Sequence, residues 1–164
     1  MSAARLGAVY AALMAAHDVA DHVAQTDHQA ANKATSWKAM AGHVGSYQAL
    51  QALALAALRP YGVRPAWWRV ALATAWSAGT HALLDRRWPV KWLLEHTGSA
   101  RFADARFVVR GSMAHAARWF GAADAQVAVD QATHPVPLHG PYLADQALHH
   151  ACLFVAALIL AGGR

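Results

Sequence analysis

The sequence is poor in cysteine and in charge. A single cysteine, Cys152, excludes a disulfide-stapled secreted domain. Charged residues make up only 14% of the 164 positions, against about a quarter in a typical soluble domain. Dense Lys/Arg runs, zinc-finger spacing and a Gly-rich phosphate loop are absent, so the net charge of +5 does not indicate a nucleic-acid-binding protein. Anionic lipid headgroups are an equally suitable partner for this basic charge.

Residues that favour β-strands are also few. Alanine alone supplies 42 positions, and 57% of the chain is hydrophobic. Because alanine favours helices and β-branched residues favour strands, this composition predicts an all-α fold. The same apolar content excludes an intrinsically disordered chain.

Four Ala/Leu-rich stretches predict four long helices separated by turn residues. They cover about residues 3–21, 40–58, 66–85 and 142–161. Each has close to the roughly 20 residues that a helix needs to cross the hydrocarbon core of a bilayer. Aromatic residues bracket their ends, as in interfacial belts. The sequence therefore predicts a single domain that forms a four-helix up-down-up-down transmembrane bundle. A soluble helical bundle with buried polar residues is the alternative.

The segment between the third and fourth helices, residues 86–141, has a different character. It contains an additional amphipathic helical stretch, about residues 104–120, in which basic residues alternate with apolar ones. Such a helix suits the headgroup region of a membrane. A helix that covers one end of the bundle is an equally good interpretation.

Titratable side chains in three of the four stretches come in pairs four residues apart, which places both members on one helix face. The pairs are His17–Asp21, His81–Asp85 and Asp145–His149, and the second helix adds His43. Short connections make consecutive helices antiparallel. In that topology all seven residues lie at the same end of the bundle, so we expect one polar site at one membrane face.

Imidazoles and carboxylates on facing helices are the groups from which helical bundles build metal sites. Without cysteine, this donor set suits zinc, iron or manganese. The predicted metal ligands are His17, His43, His81 and His149. Asp21, Asp85 and Asp145 are predicted as further ligands or as the general base for a metal-bound water, which would make the site hydrolase-like. Gln25 and Gln146 would position a substrate, and Lys33 would bind a small anionic one.

Two other interpretations remain open at this stage. Histidines at similar depth on facing helices also suit bis-His ligation of haem. Alternatively, Asp–His pairs one turn apart satisfy each other's polar atoms near the membrane interface. In that case the protein is non-catalytic and acts through contacts with lipid or with a partner.

Four stretches of the chain resemble a family of small bacterial membrane proteins of unknown function, found also on mobile elements: HDVADHVAQTDHQAANK, GHVGSYQAL, HALLDRRWPVKWLLEHTGSARF and PYLADQALHHACLFVAALI. The family pattern falls on His17, Asp21, Gln25, Lys33, His43, His81, Asp85, Lys91, Asp145, Gln146 and His149. The resemblance covers most of the chain outside about residues 108–138. It implies a multi-pass protein of the bacterial inner membrane and implies no particular activity.

Overall fold

Helices dominate the structure, as the alanine-rich composition predicts. The structure is a computed structural model that describes residues 2–103 and 140–162. Within these two ranges 84% of the residues are helical and none is in a strand. The amphipathic helix predicted at about residues 104–120 lies outside the described residues.

The described ranges contain seven α-helices, and short connections join the first six. They are α1 (Ala3–Val19), α2 (Asp27–Asn32), α3 (Trp37–Ala57), α4 (Trp67–Leu84), α5 (Trp88–His96), α6 (Ala100–Ala103) and α7 (Gly140–Ala161). Hydroxyl side chains start the first three, because an oxygen at the N-cap satisfies a backbone N–H that has no partner within the helix. Ser2 caps α1, Ser36 caps α3, and Thr26 forms a reciprocal capping box with Gln29 at α2.

The four long predicted helices are present as α1, α3, α4 and α7, with two local differences. At its C-terminal end α1 continues into a π-helical turn, Ala20–Ala24, closed by the N–H of Gln25 on the carbonyl of Ala20 at 3.1 Å. In addition, α3 begins at Trp37, slightly earlier than predicted, because Ser36 supplies its cap. Single π-helical turns often occur at functional sites.

The described helices belong to two compact units. One comprises Met1–Pro89 with Gln146–Arg164, and the other comprises Val90–Asp145. The core of the first unit combines side chains from four helices: Val9 and Leu13 of α1, Tyr47 of α3, Ala73 of α4, and Leu153 and Ala157 of α7. In the second unit, the rings of Trp92 and His96 stack on one face of α5.

Both α3 and α4 bury polar side chains and expose apolar ones. On α3, His43, Tyr47 and Gln51 follow one another at intervals of four and are all buried, whereas Leu53 is 65% exposed. On α4, Ser77 and His81 are buried in the same way, whereas Leu72 is 50% exposed. A helix on the surface of a soluble protein has the opposite polarity.

Within the described residues, α7 is the one helix that is long and apolar enough to cross a membrane. Its most apolar 18-residue window has a mean hydropathy of 1.6. The three other predicted spans do not meet this criterion, since His, Gln and Ser interrupt their alanine-rich runs. The all-α prediction is thus confirmed for the described part, and one candidate membrane helix is found where four were predicted.

Candidate metal site

The ends of α1 and α4 and the beginning of α3 place two acids and two histidines close together. Asp21 lies in the π-helical turn after α1, and Asp85 follows the last residue of α4 as its C-cap. His43 is in the second turn of α3, and His81 is in the last turn of α4. We call Asp21, His43, His81 and Asp85 the His/Asp cluster.

One donor atom from each residue of the His/Asp cluster points to a common centre, and all four atoms lie within 4.8 Å of one another. His43 Nε2 is 3.1 Å from Asp85 Oδ2 and 3.4 Å from Asp21 Oδ1. His81 Nε2 is 3.3 Å and 3.5 Å from the same two oxygens. The two imidazole nitrogens are 3.0 Å apart.

These separations are those of a tetrahedral coordination sphere. Zinc–nitrogen and zinc–oxygen bonds of about 2.0–2.2 Å place the ligand atoms of a regular tetrahedron about 3.3–3.6 Å apart. The five distances above range from 3.0 to 3.5 Å, so an ion fits between these atoms with shifts of a few tenths of an ångström. Two nitrogens and two oxygens are a donor set for zinc, iron or manganese.

Burial makes the charge of the His/Asp cluster costly unless a cation compensates it. The four side chains are at most 5% exposed. Asp21 Oδ1 and Asp85 Oδ2 are buried, and both face the imidazole nitrogens of His43 and His81. A buried carboxylate without compensation is strongly unfavourable. Lys33 supplies one positive charge, with Nζ 2.9 Å from Asp85 Oδ1. One lysine against two carboxylates leaves one net negative charge, which favours a bound cation.

Packing sets the orientation of His81. The Tyr47 ring stacks on the imidazole with centroids 3.8 Å apart and an interplanar angle of 10°. The Tyr47 hydroxyl in turn shares a 2.7 Å hydrogen bond with Ser77 Oγ. Neither residue was predicted as part of the site, although Tyr47 follows His43 by four positions and Ser77 precedes His81 by four. That spacing places each of them on the same helix face as a cluster histidine.

Two further predicted ligands, His17 and His149, form a layer beside the His/Asp cluster. Their rings stack on each other with centroids 5.1 Å apart, and each contacts the His81 ring edge-on. His17 Nδ1 is 3.8 Å from Asp21 Oδ2, and His17 Nε2 is 3.3 Å from Gln146 Oε1. Of the four histidines predicted as ligands, His43 and His81 are thus the pair in the four-residue cluster.

The remaining predicted site residues lie in different surroundings. Gln25 folds back and donates its amide to the backbone carbonyl of Asp21, closing the π-helical turn. Asp145 lies on α7 one turn before His149 and belongs to the second unit. Lys33, predicted to bind an anionic substrate, contacts Asp85 and His43 instead. The substrate-binding roles of Gln25 and Gln146 and the catalytic role of Asp145 stay predictions.

The spacing of the two cluster histidines bears on the haem alternative. In bis-His ligation the macrocycle lies between the two imidazoles. His43 Nε2 and His81 Nε2 are 3.0 Å apart and buried, which leaves no room for a porphyrin between them. This pair therefore suits a bare metal ion.

Comparison with known proteins adds no relative from which a function could be transferred. No family model, curated protein or solved structure matches the chain. The resemblance to small bacterial membrane proteins stays a prediction, and the function has to be inferred from the His/Asp cluster itself.

Proposed function

We propose that this protein is a small integral membrane protein that binds one divalent metal ion in the His/Asp cluster. The observation that carries the proposal is the convergence of the four buried donor atoms, whose five nitrogen–nitrogen and nitrogen–oxygen distances of 3.0–3.5 Å lie within a few tenths of an ångström of tetrahedral edges. Zinc is the first choice because it favours four-coordinate tetrahedral sites with nitrogen and oxygen ligands. Iron and manganese share the preference for these donors and are the alternatives.

The membrane part of the proposal is supported by the distribution of polar and apolar side chains. In membrane proteins, polar residues of a spanning helix face the interior of the bundle, and apolar ones face lipid. The buried His43, Tyr47 and Gln51 of α3, opposite the exposed Leu53, follow this arrangement. Exposed Trp67 and Trp88 at the two ends of the α4 region are typical of interfacial positions. We therefore propose a multi-pass protein of the bacterial inner membrane, with α7 as one of its spans.

Metal binding is favoured over hydrolysis by the number of protein ligands. Catalytic zinc sites keep a coordination position for water, whereas four protein ligands fill a tetrahedral sphere. A hydrolase-like reaction would require a fifth position, or would require Asp21 or Asp85 to leave the ion and serve as general base. The arrangement therefore supports a binding site more directly than a reaction.

Metal analysis of the purified full chain in detergent tests the binding function. We expect about one metal ion per chain, as in a single four-coordinate site, and no Soret band in the absorption spectrum. His81→Ala should abolish binding, because it removes one of the four donors. His28→Ala is the matched control, since His28 is exposed in the short helix α2 and should leave the metal content unchanged. Metal-free protein, or metal retained in His81→Ala, would contradict the proposal.

Extraction of cell membranes tests the membrane location separately. The chain should sediment with the membranes and stay there after washing with alkaline carbonate, because an integral protein is held by apolar contact with lipid. Release into the supernatant would contradict the proposed integration into the membrane. It would not affect the metal-binding proposal, which metal analysis tests separately.

A further inference from the structure

Lys33 is a buried lysine in direct contact with the His/Asp cluster. Its side chain emerges at the C-terminal end of α2 and is 8% exposed, whereas Lys38 and Lys91 are exposed. The ammonium nitrogen lies 2.9 Å from Asp85 Oδ1 and 3.1 Å from His43 Nε2. The second contact involves one of the four atoms that would bind the metal.

The contact between Lys33 and His43 excludes a metal ion from the same nitrogen. A lysine ammonium only donates hydrogen bonds, so His43 Nε2 can act only as the acceptor in this contact. An imidazole nitrogen has one lone pair in the ring plane, and that lone pair is also what a metal ion requires. In this contact the ammonium group takes the place that a metal ion would need at His43 Nε2.

The same ammonium group also contacts the Asp85 carboxylate. Lys33 contacts Oδ1, whereas the oxygen that approaches both cluster histidines is Oδ2. The two contacts of Lys33 are therefore separable. The lysine can leave His43 and still remain paired with the carboxylate.

We infer that Lys33 is an internal competitor for the metal. In the metal-free chain its ammonium group contacts both His43 Nε2 and Asp85 Oδ1, and an incoming divalent cation displaces it from His43 while its pairing with Asp85 remains. This inference rests on the proposed metal-binding function. It predicts a site that is folded and partly charge-compensated without metal, and that takes up the ion by exchange of one cation for another.

Zinc affinity of the Lys33→Met variant tests this inference. Dissociation constants are measured for the full chain in detergent by competition with a chromophoric chelator. Without the competing ammonium group, zinc should bind about tenfold to a hundredfold more tightly than to the wild type, the factor expected for one charge-assisted hydrogen bond. Lys38→Met is the matched control, because Lys38 is exposed at the start of α3 and should leave the dissociation constant unchanged. Equal or weaker binding by Lys33→Met would overturn the inference.

The outcomes separate the inference from the function on which it rests. If the wild type binds zinc and Lys33→Met binds it equally, the competitor role fails and the metal site stands. If zinc binds to Lys33→Met alone, the wild-type lysine is not displaced by the ion, and both the exchange and the metal-binding function of the wild type are overturned. If neither chain binds zinc, both proposals fail.

Circular dichroism would show whether Lys33→Met folds. Two further variants test the inference if it does not. Lys33→Gln removes the charge and keeps a polar side chain, so it should show the same tighter binding. Lys33→Arg keeps the charge and should bind zinc no more tightly than the wild type does. Tighter binding by Lys33→Arg would overturn the role of the cation.

Discussion

Replacement of Asp21 by asparagine should remove most of the thermal stabilisation that zinc gives to this protein. The substitution keeps the shape of the side chain but turns an ionised ligand into a neutral amide. The oxygen concerned lies 3.4 Å from His43 Nε2 and 3.5 Å from His81 Nε2. Loss of groups that only support metal ligands typically costs about 10- to 100-fold in affinity. Loss of a direct, charged ligand should therefore weaken zinc binding at least about 100-fold.

The expected size of the effect follows from the linkage between binding and stability. At free zinc about 100 times the wild-type dissociation constant, binding stabilises the folded chain by about 2.7 kcal/mol. For a chain of this length that corresponds to a rise in Tm of about 5–10 °C. In Asp21→Asn the same zinc concentration would only equal the dissociation constant. The gain then falls to about 0.4 kcal/mol, or about 1 °C.

Thermal unfolding of the detergent-solubilised chain, followed with and without zinc after chelator treatment, measures this difference. Asp18→Asn is the matched control, because Asp18 lies one turn earlier on α1 with its side chain 54% exposed. It should show the full wild-type shift. If zinc raised the Tm of Asp21→Asn as much as that of the wild type, Asp21 would not be a ligand and the tetrahedral assignment would be refuted.

Three further predictions concern the His/Asp cluster and its supports. Zinc affinity should fall as the pH is lowered from about 7.5 to about 5.5, because protons compete with the ion for imidazole nitrogens. Equilibrium dialysis would measure this fall, and a constant affinity would argue against histidine ligation. Tyr47→Phe should lower the free energy of unfolding by about 1 kcal/mol, since it removes the 2.7 Å hydrogen bond to Ser77, while zinc stoichiometry stays unchanged. The combination with Ser77→Ala should give non-additive losses in chemical denaturation, and strictly additive losses would speak against this bond. Arg86→Ala should also destabilise the chain by about 1 kcal/mol, because the Arg86 guanidinium lies 3.7 Å from the Trp37 ring centroid and donates to the Ala34 carbonyl at 2.9 Å. An unchanged midpoint of chemical unfolding would contradict this prediction.

Much of the fold could be predicted from composition and spacing alone. Alanine-rich runs of about 18–20 residues have one favoured local conformation, so helix type and approximate ends do not depend on the neighbours. The number of membrane spans was harder to predict from the sequence, because alanine is only weakly apolar and polar residues interrupt the alanine-rich runs. The inverted polarity of α3 and α4 needed the structure, since burial of His43 or exposure of Leu53 is a property of the packed helices.

The sequence by itself determined at which end of the helices the site lies. Spacing of four residues places His81 and Asp85 on one face, and short connections reverse each following helix, so the polar groups gather at one end. Only the tertiary structure decided which donor atoms converge. Packing sets the rotation of each helix about its axis and the rotamer of each side chain. Displacements of a few tenths of an ångström decide whether a side-chain atom can bind the metal or only lies near it. For the same reason the sequence could predict Lys33 as a site residue but not its contact with His43, ten residues away along the chain.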